Sequence, residues 1–87
     1  MISYNNKSGD SIENAIIIYG ATDENAGVKA EYEYLGKKFG QPQKNWKLNK
    51  QDTVEQDDKK FDQLDIILAN GYKETIYFDI TNFFGKN

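Results

Sequence analysis

Two runs of alternating apolar residues, Leu64, Ile66, Leu68 and Ile76, Phe78, Ile80, flank Asn70-Gly71, and their parity limits how the C-terminal half can fold. Side chains on alternate residues share one face of a strand, so two such runs about a turn read as a hairpin. A two-residue Asn70-Gly71 loop opposes Leu64, Ile66 and Leu68 to Tyr77, Thr75 and Lys73, and sends Ile76 and Phe78 to the other face. A three-residue loop, Ala69-Asn70-Gly71 with Gly71 left-handed, opposes Leu64 to Ile76 and Asp62 to Phe78. All six apolar residues then share a face, so burial selects the bulged loop over the shorter turn.

Upstream, Trp46 and Leu48 alternate with Lys47 and Asn49, which predicts a strand from about Asn45 to Val54, closed by a charged turn over Glu55-Gln56-Asp57-Asp58-Lys59. Before it, Thr22 is a candidate cap, Asp23 and Glu24 suit the positive end of a helix, and Val28, Tyr32, Leu35 and Phe39 form a stripe. Lys37, Lys38, Gly40 and Pro42 mark the end of that helix, and Gly27 weakens it locally. Asp10 with Glu13 fits a capping box, and Ile12, Ala15, Ile16 and Tyr19 follow at helical spacing up to Gly20, which predicts an earlier helix. Ile2 and Tyr4 leave an edge strand open within Met1 to Lys7, and Phe83 or Phe84 is expected to close one end of the core. The expected architecture is a single α+β domain over residues 1–87, two N-terminal helices packed on one face of a three-stranded antiparallel meander in two layers.

Composition then excludes chemistry. The chain of 87 residues contains no histidine and no cysteine, which removes the side chain that titrates near neutrality, thiolate nucleophiles, and the usual zinc ligands. A core this small supports large pKa shifts poorly, so the expectation is a protein that is not an enzyme and takes no cofactor. Carboxylate pairs such as Asp57 with Asp58 or Asp62 with Asp65 would need a cleft between them for glycoside chemistry, and a thin domain offers none. Asp52, Glu55, Asp57, Asp58 and Asp62 could offer oxygens to a hard cation, but they lack the spacing and glycine of a calcium loop, so no metal site is assigned.

Net charge is −3 and every one of the 11 basic residues is lysine, so the planar fork that grips phosphate is missing and nucleic acid is a disfavoured partner. Lys44, Trp46, Lys47 and Lys50 do interleave charge with an aromatic ring, the minimal pattern for a nucleic-acid or small-ligand site. Trp46 shares its face with Leu48, however, which reads as core, with the lysines guarding a sheet edge. The longest apolar run, Ala15 to Tyr19, is too short for a membrane span or a signal peptide, and with no cysteine the expectation is a cytoplasmic protein without membrane contact.

One surface remains. The hairpin parity sends Asp65, Ile67, Lys73, Thr75, Tyr77 and Asp79 away from the helices, a tyrosine and an isoleucine bordered by acids. That composition suits the centre of a protein interface, set against the plainer alternative of a solvated sheet face. The leading expectation is a protein-binding module that occludes a partner, of inhibitor, immunity or anti-defence type, or an adaptor subunit, with Asp65, Ile67, Thr75, Tyr77 and Asp79 as its contact residues. The partner is a protein of unspecified identity, and a homodimer through the open face or an uncovered strand edge is the alternative.

Overall fold

A computed structural model describes residues 1–87. It contains one helix, not two, and a five-stranded mixed sheet in place of the three-stranded meander. The elements are β1 (Ser3–Tyr4), β2 (Ile16–Tyr19), α1 (Glu24–Phe39), β3 (Trp46–Gln56), β4 (Lys59–Leu68) and β5 (Lys73–Asp79), with strand order β1-β2-β5-β4-β3. β2 lies parallel to β5, Ile16 beside Phe78 and Ile17 beside Asp79, and every other pairing is antiparallel.

The first expected helix is the main correction. Three consecutive isoleucines followed by a tyrosine are stiff at χ1 and favour a pleated strand. A short apolar run has no period that separates a buried strand from a helix turn, and here the two faces of a central strand required it. Ile16 and Ile18 are fully buried towards α1. The residues that fitted a capping box build a tight turn instead, in which Asn14 N–H donates to the Ser11 hydroxyl at 3.2 Å. β1, left open by the sequence, pairs Ser3 with Tyr19 and Tyr4 with Ile18 as a two-residue edge strand.

The second helix forms with small differences. Asp23, not Thr22, is its cap, accepting from Ala26 N–H at 2.8 Å, and Gly40 at φ 107° closes it through its N–H to the Gly36 carbonyl. Its buried line is Gly27, Ala30, Glu31 and Leu35, so the expected stripe of Val28, Tyr32, Leu35 and Phe39 is rotated and Val28 is exposed. Gly27 sets the roll: a Cβ there would stand 2.2 Å from Cε1 of Phe83. The helix lies down on that ring, with Tyr32 edge-on to Trp46 at 6.0 Å and Tyr34 edge-on to Phe78 at 5.7 Å. Phe83 is buried and Phe84 half out, so the tail closes the core as expected.

The β4–β5 hairpin has the register that parity demanded. Leu64 faces Ile76 and Asp62 faces Phe78, Gly71 has φ 90°, and Leu68 N–H donates to Tyr72 across the loop at 2.8 Å. The β3–β4 turn is tighter than the five-residue charged run suggested: Asp57 and Asp58, at φ 54° and 63°, make a two-residue turn, and both strands run on to Gln56 and Lys59. β3 also carries a bulge between Leu48 and Lys50.

Gly27→Ala is expected to lower stability by about 1–3 kcal/mol in urea denaturation, because overpacking against the Phe83 ring outweighs a helix-propensity gain of about 1 kcal/mol. Gly36→Ala, whose added Cβ meets nothing within 4 Å, should stabilise by up to about 1 kcal/mol. Equal effects of the two would show that Gly27 has no packing role.

Candidate functional site

α1 covers one face of the sheet, and the opposite face of β3, β4 and β5 has no helix over it. Four of the expected contact residues meet there. Asp65 and Thr75 are directly opposed, and the Thr75 hydroxyl donates to Asp65 Oδ1 at 2.7 Å, which holds both side chains still. Ile67 and Tyr77, each two residues along the strand from that pair, are half-buried on the same face, and Val54 of β3 joins them. Lys73 lies opposite Ile67 and is exposed.

Asp79 departs from the expected acidic rim. It is 8% exposed, and its Oδ1 accepts from Thr81 N–H at 3.0 Å. The cause is the segment before β2, which folds over this end of the face: Asn5, Lys7 and Ile12 line a small pocket of about 120 Å³ with Ile17 of β2, Phe61 and Asp79. Asp79 therefore serves the turn into the C-terminal tail, and the open surface shrinks to Asp65, Ile67, Thr75 and Tyr77.

The lysine segment is split. Trp46 is 3% exposed and its indole N–H donates to the Gly40 carbonyl at 2.8 Å, so its ring is committed to the core while Lys44, Lys47 and Lys50 point to solvent. Lys44 and Lys47 border a shallow groove of about 340 Å³ floored by Ile67 and Leu68. The acidic residues of the first hairpin do not converge into any group of three that could hold a metal ion. Lys50 pairs with Asp52, Lys60 pairs with Glu55, and Asp62 turns under the helix.

Asp62 belongs to an arrangement that the sequence reading did not identify. Glu31 of α1 is fully buried against it, neither Glu31 oxygen makes a hydrogen bond, and the Thr53 hydroxyl donates to Asp62 Oδ1 at 3.4 Å. Burial first, and then the neighbouring Asp62 carboxyl, pushes Glu31 up to about 10, so it holds a proton at neutrality. Two signals pointed there: Glu31 stands one helical turn from both Gly27 and Leu35, and parity opposes Asp62 to Phe78 on the core side. Paired carboxyls can divide acid and base roles, but neither residue lines a pocket, so the pair has no access to a substrate.

Compared with models of known protein families, with characterised proteins and with solved structures, the chain matches none of them.

Because folding raises the proton affinity of Glu31, the stability tied to its proton is complete below about 4.5 and drains as pH rises towards about 10. The wild type should therefore lose up to about 1.4 kcal/mol per pH unit from this group on going from pH 5 to pH 8. Glu31→Gln, which keeps the shape and a donor but cannot ionise, should be more stable than wild type at pH 8, with the difference shrinking towards pH 5. Urea denaturation of both proteins at the two pH values checks this, and a constant difference would show that Glu31 does not titrate with folding.

Proposed function

We propose that this chain is a non-enzymatic, cytoplasmic protein-binding module that acts by occluding a surface of its partner, as an inhibitor, an immunity or anti-defence protein, or an adaptor subunit. The observation that carries this reading is the uncovered sheet face on which Ile67 and Tyr77 flank the hydrogen-bonded Asp65 and Thr75. Strands fix those side chains and the Asp65 hydrogen bond pre-orders one acid, so docking costs little side-chain entropy. Tyrosine brings large contact area with a polar tip, a common anchor of interface centres. The absence of cysteine supports a reducing compartment, and no helix is long and apolar enough to cross a membrane.

The alternative is a nucleic-acid or small-ligand site along Lys44 to Lys50, supported by the lysine-bordered groove. It is the weaker reading because the Trp46 ring is not free to stack. Oligonucleotide affinity falling steeply with salt would favour it.

For the leading reading, the expected outcome is that immobilised wild-type chain retains a protein from an extract of its own cells and that Tyr77→Ala combined with Ile67→Ser weakens that binding by roughly a hundredfold, as loss of anchor residues does. Circular dichroism of the variant should match wild type, since both side chains lie outside the core under α1. Undiminished binding by a folded double variant would reject this face as the contact surface.

A further inference from the structure

The two edges of the sheet are unequal. At one edge β1 offers two residues, while at the other β3 runs for eleven, Trp46–Gln56, with β4 on its inner side and no strand on its outer side. An outer edge of that length presents unpaired N–H and C=O groups on alternate residues and is a template for strand addition. Its first part is guarded: the bulge between Leu48 and Lys50 breaks the ladder, and Lys47 stands exposed beside it. From Lys50 to Gln56 the strand is in unbroken register with β4, with no bulge to interrupt its outer edge.

Charge reverses sign about Gln51 in this regular part. Lys50 precedes Gln51 and Asp52 follows it, both on the face opposite α1 and with side chains 65% and 47% exposed. A strand that carries plus and minus at equal distances from one residue is complementary to an antiparallel copy of itself. With a two-fold axis through Gln51, each Lys50 stands opposite the Asp52 of the other copy and the two Gln51 side chains meet on the helix side. The register is discriminated. Centring the axis on Asp52 or Lys50 sets like charges against each other, and a half-step slip turns each strand's side chains to the wrong face.

Closure follows from the same geometry. An isologous pair consumes both β3 edges and leaves only the two-residue β1 edges, so the assembly ends at two copies instead of growing into a filament. We propose that the chain forms a two-fold homodimer by antiparallel pairing of β3 edges centred on Gln51, with Lys50 and Asp52 reciprocally paired. The axis runs perpendicular to the sheet, so both Tyr77 surfaces emerge on one side of a continuous sheet. The dimer uses a strand edge and does not depend on the partner-binding reading of that face.

Sedimentation equilibrium of the full chain over a range of concentrations tests this. The wild type should dimerise with increasing concentration, and Lys50→Glu alone or Asp52→Lys alone should weaken dimerisation at least tenfold, because each places like charges at both crossings. An equimolar mixture of the two single variants should associate again as a heterodimer with near wild-type affinity, since every crossing then pairs opposite signs, and the double variant K50E/D52K should recover likewise. Both positions are solvent-facing, and circular dichroism verifies that each variant is folded. A wild type that stays monomeric at its highest soluble concentration overturns the proposal, as does dimerisation of either single variant at wild-type strength or a mixture that fails to associate.

Discussion

Ile16 beside Phe78, parallel neighbours at the centre of the sheet, is the pairing from which the remaining architecture follows. It turns β5 from an edge into an interior strand and buries Ile16 and Ile18 beneath α1 together with Ile76 and Phe78. Because β2 precedes the helix and β5 is the last strand in sequence, this contact also brings the N-terminal segment beside β5. Gly9 can then accept a hydrogen bond from Tyr77 N–H at 2.7 Å, and the segment around Ile12 covers Phe61 and Asp79. A chain of this size gains much of its stability from such long-range apolar burial, since it has no disulfide to restrict the unfolded state.

Against that apolar frame, Glu31 is a local conflict. A helix that must press Gly27 against Phe83 and Leu35 into the core has no choice about which residue lies between them, and it is an acid facing an acid. Keeping a proton on Glu31 relieves the repulsion but ties folding to proton uptake. Buried polar conflicts of this kind lower stability where an apolar residue would raise it. The pair lies under the helix, on the side opposite the proposed contact surface.

The outer surfaces divide by how each strand is covered. β2 and β5 are central and their open face is partly roofed by the N-terminal segment, whereas β3 is bare along its outer side. The Thr75 to Asp65 hydrogen bond and the reciprocal charges of Lys50 and Asp52 are both features of exposed strands whose backbone is held by β4. Rigid, strand-borne side chains of this kind lose little conformational freedom when a partner docks on them.

The residue order by itself determined the hairpin register, the helix from the Asp23 region to Gly40, the strand around Trp46 to Val54 and the aromatic closure at Phe83, because each rests on short-range periodicity or turn chemistry. It also placed Asp65, Ile67, Thr75 and Tyr77 on one face, since parity within a hairpin is a local property. Only the tertiary structure decided that Ile16 to Tyr19 is a strand, that α1 rolls onto Gly27 and Glu31, and that Asp79 is buried. Those outcomes depend on residues far along the chain: Phe78 selects the strand, Phe83 selects the roll, and the segment around Ile12 covers Asp79. A period read within one segment carries no information about which distant partner will compete for its faces.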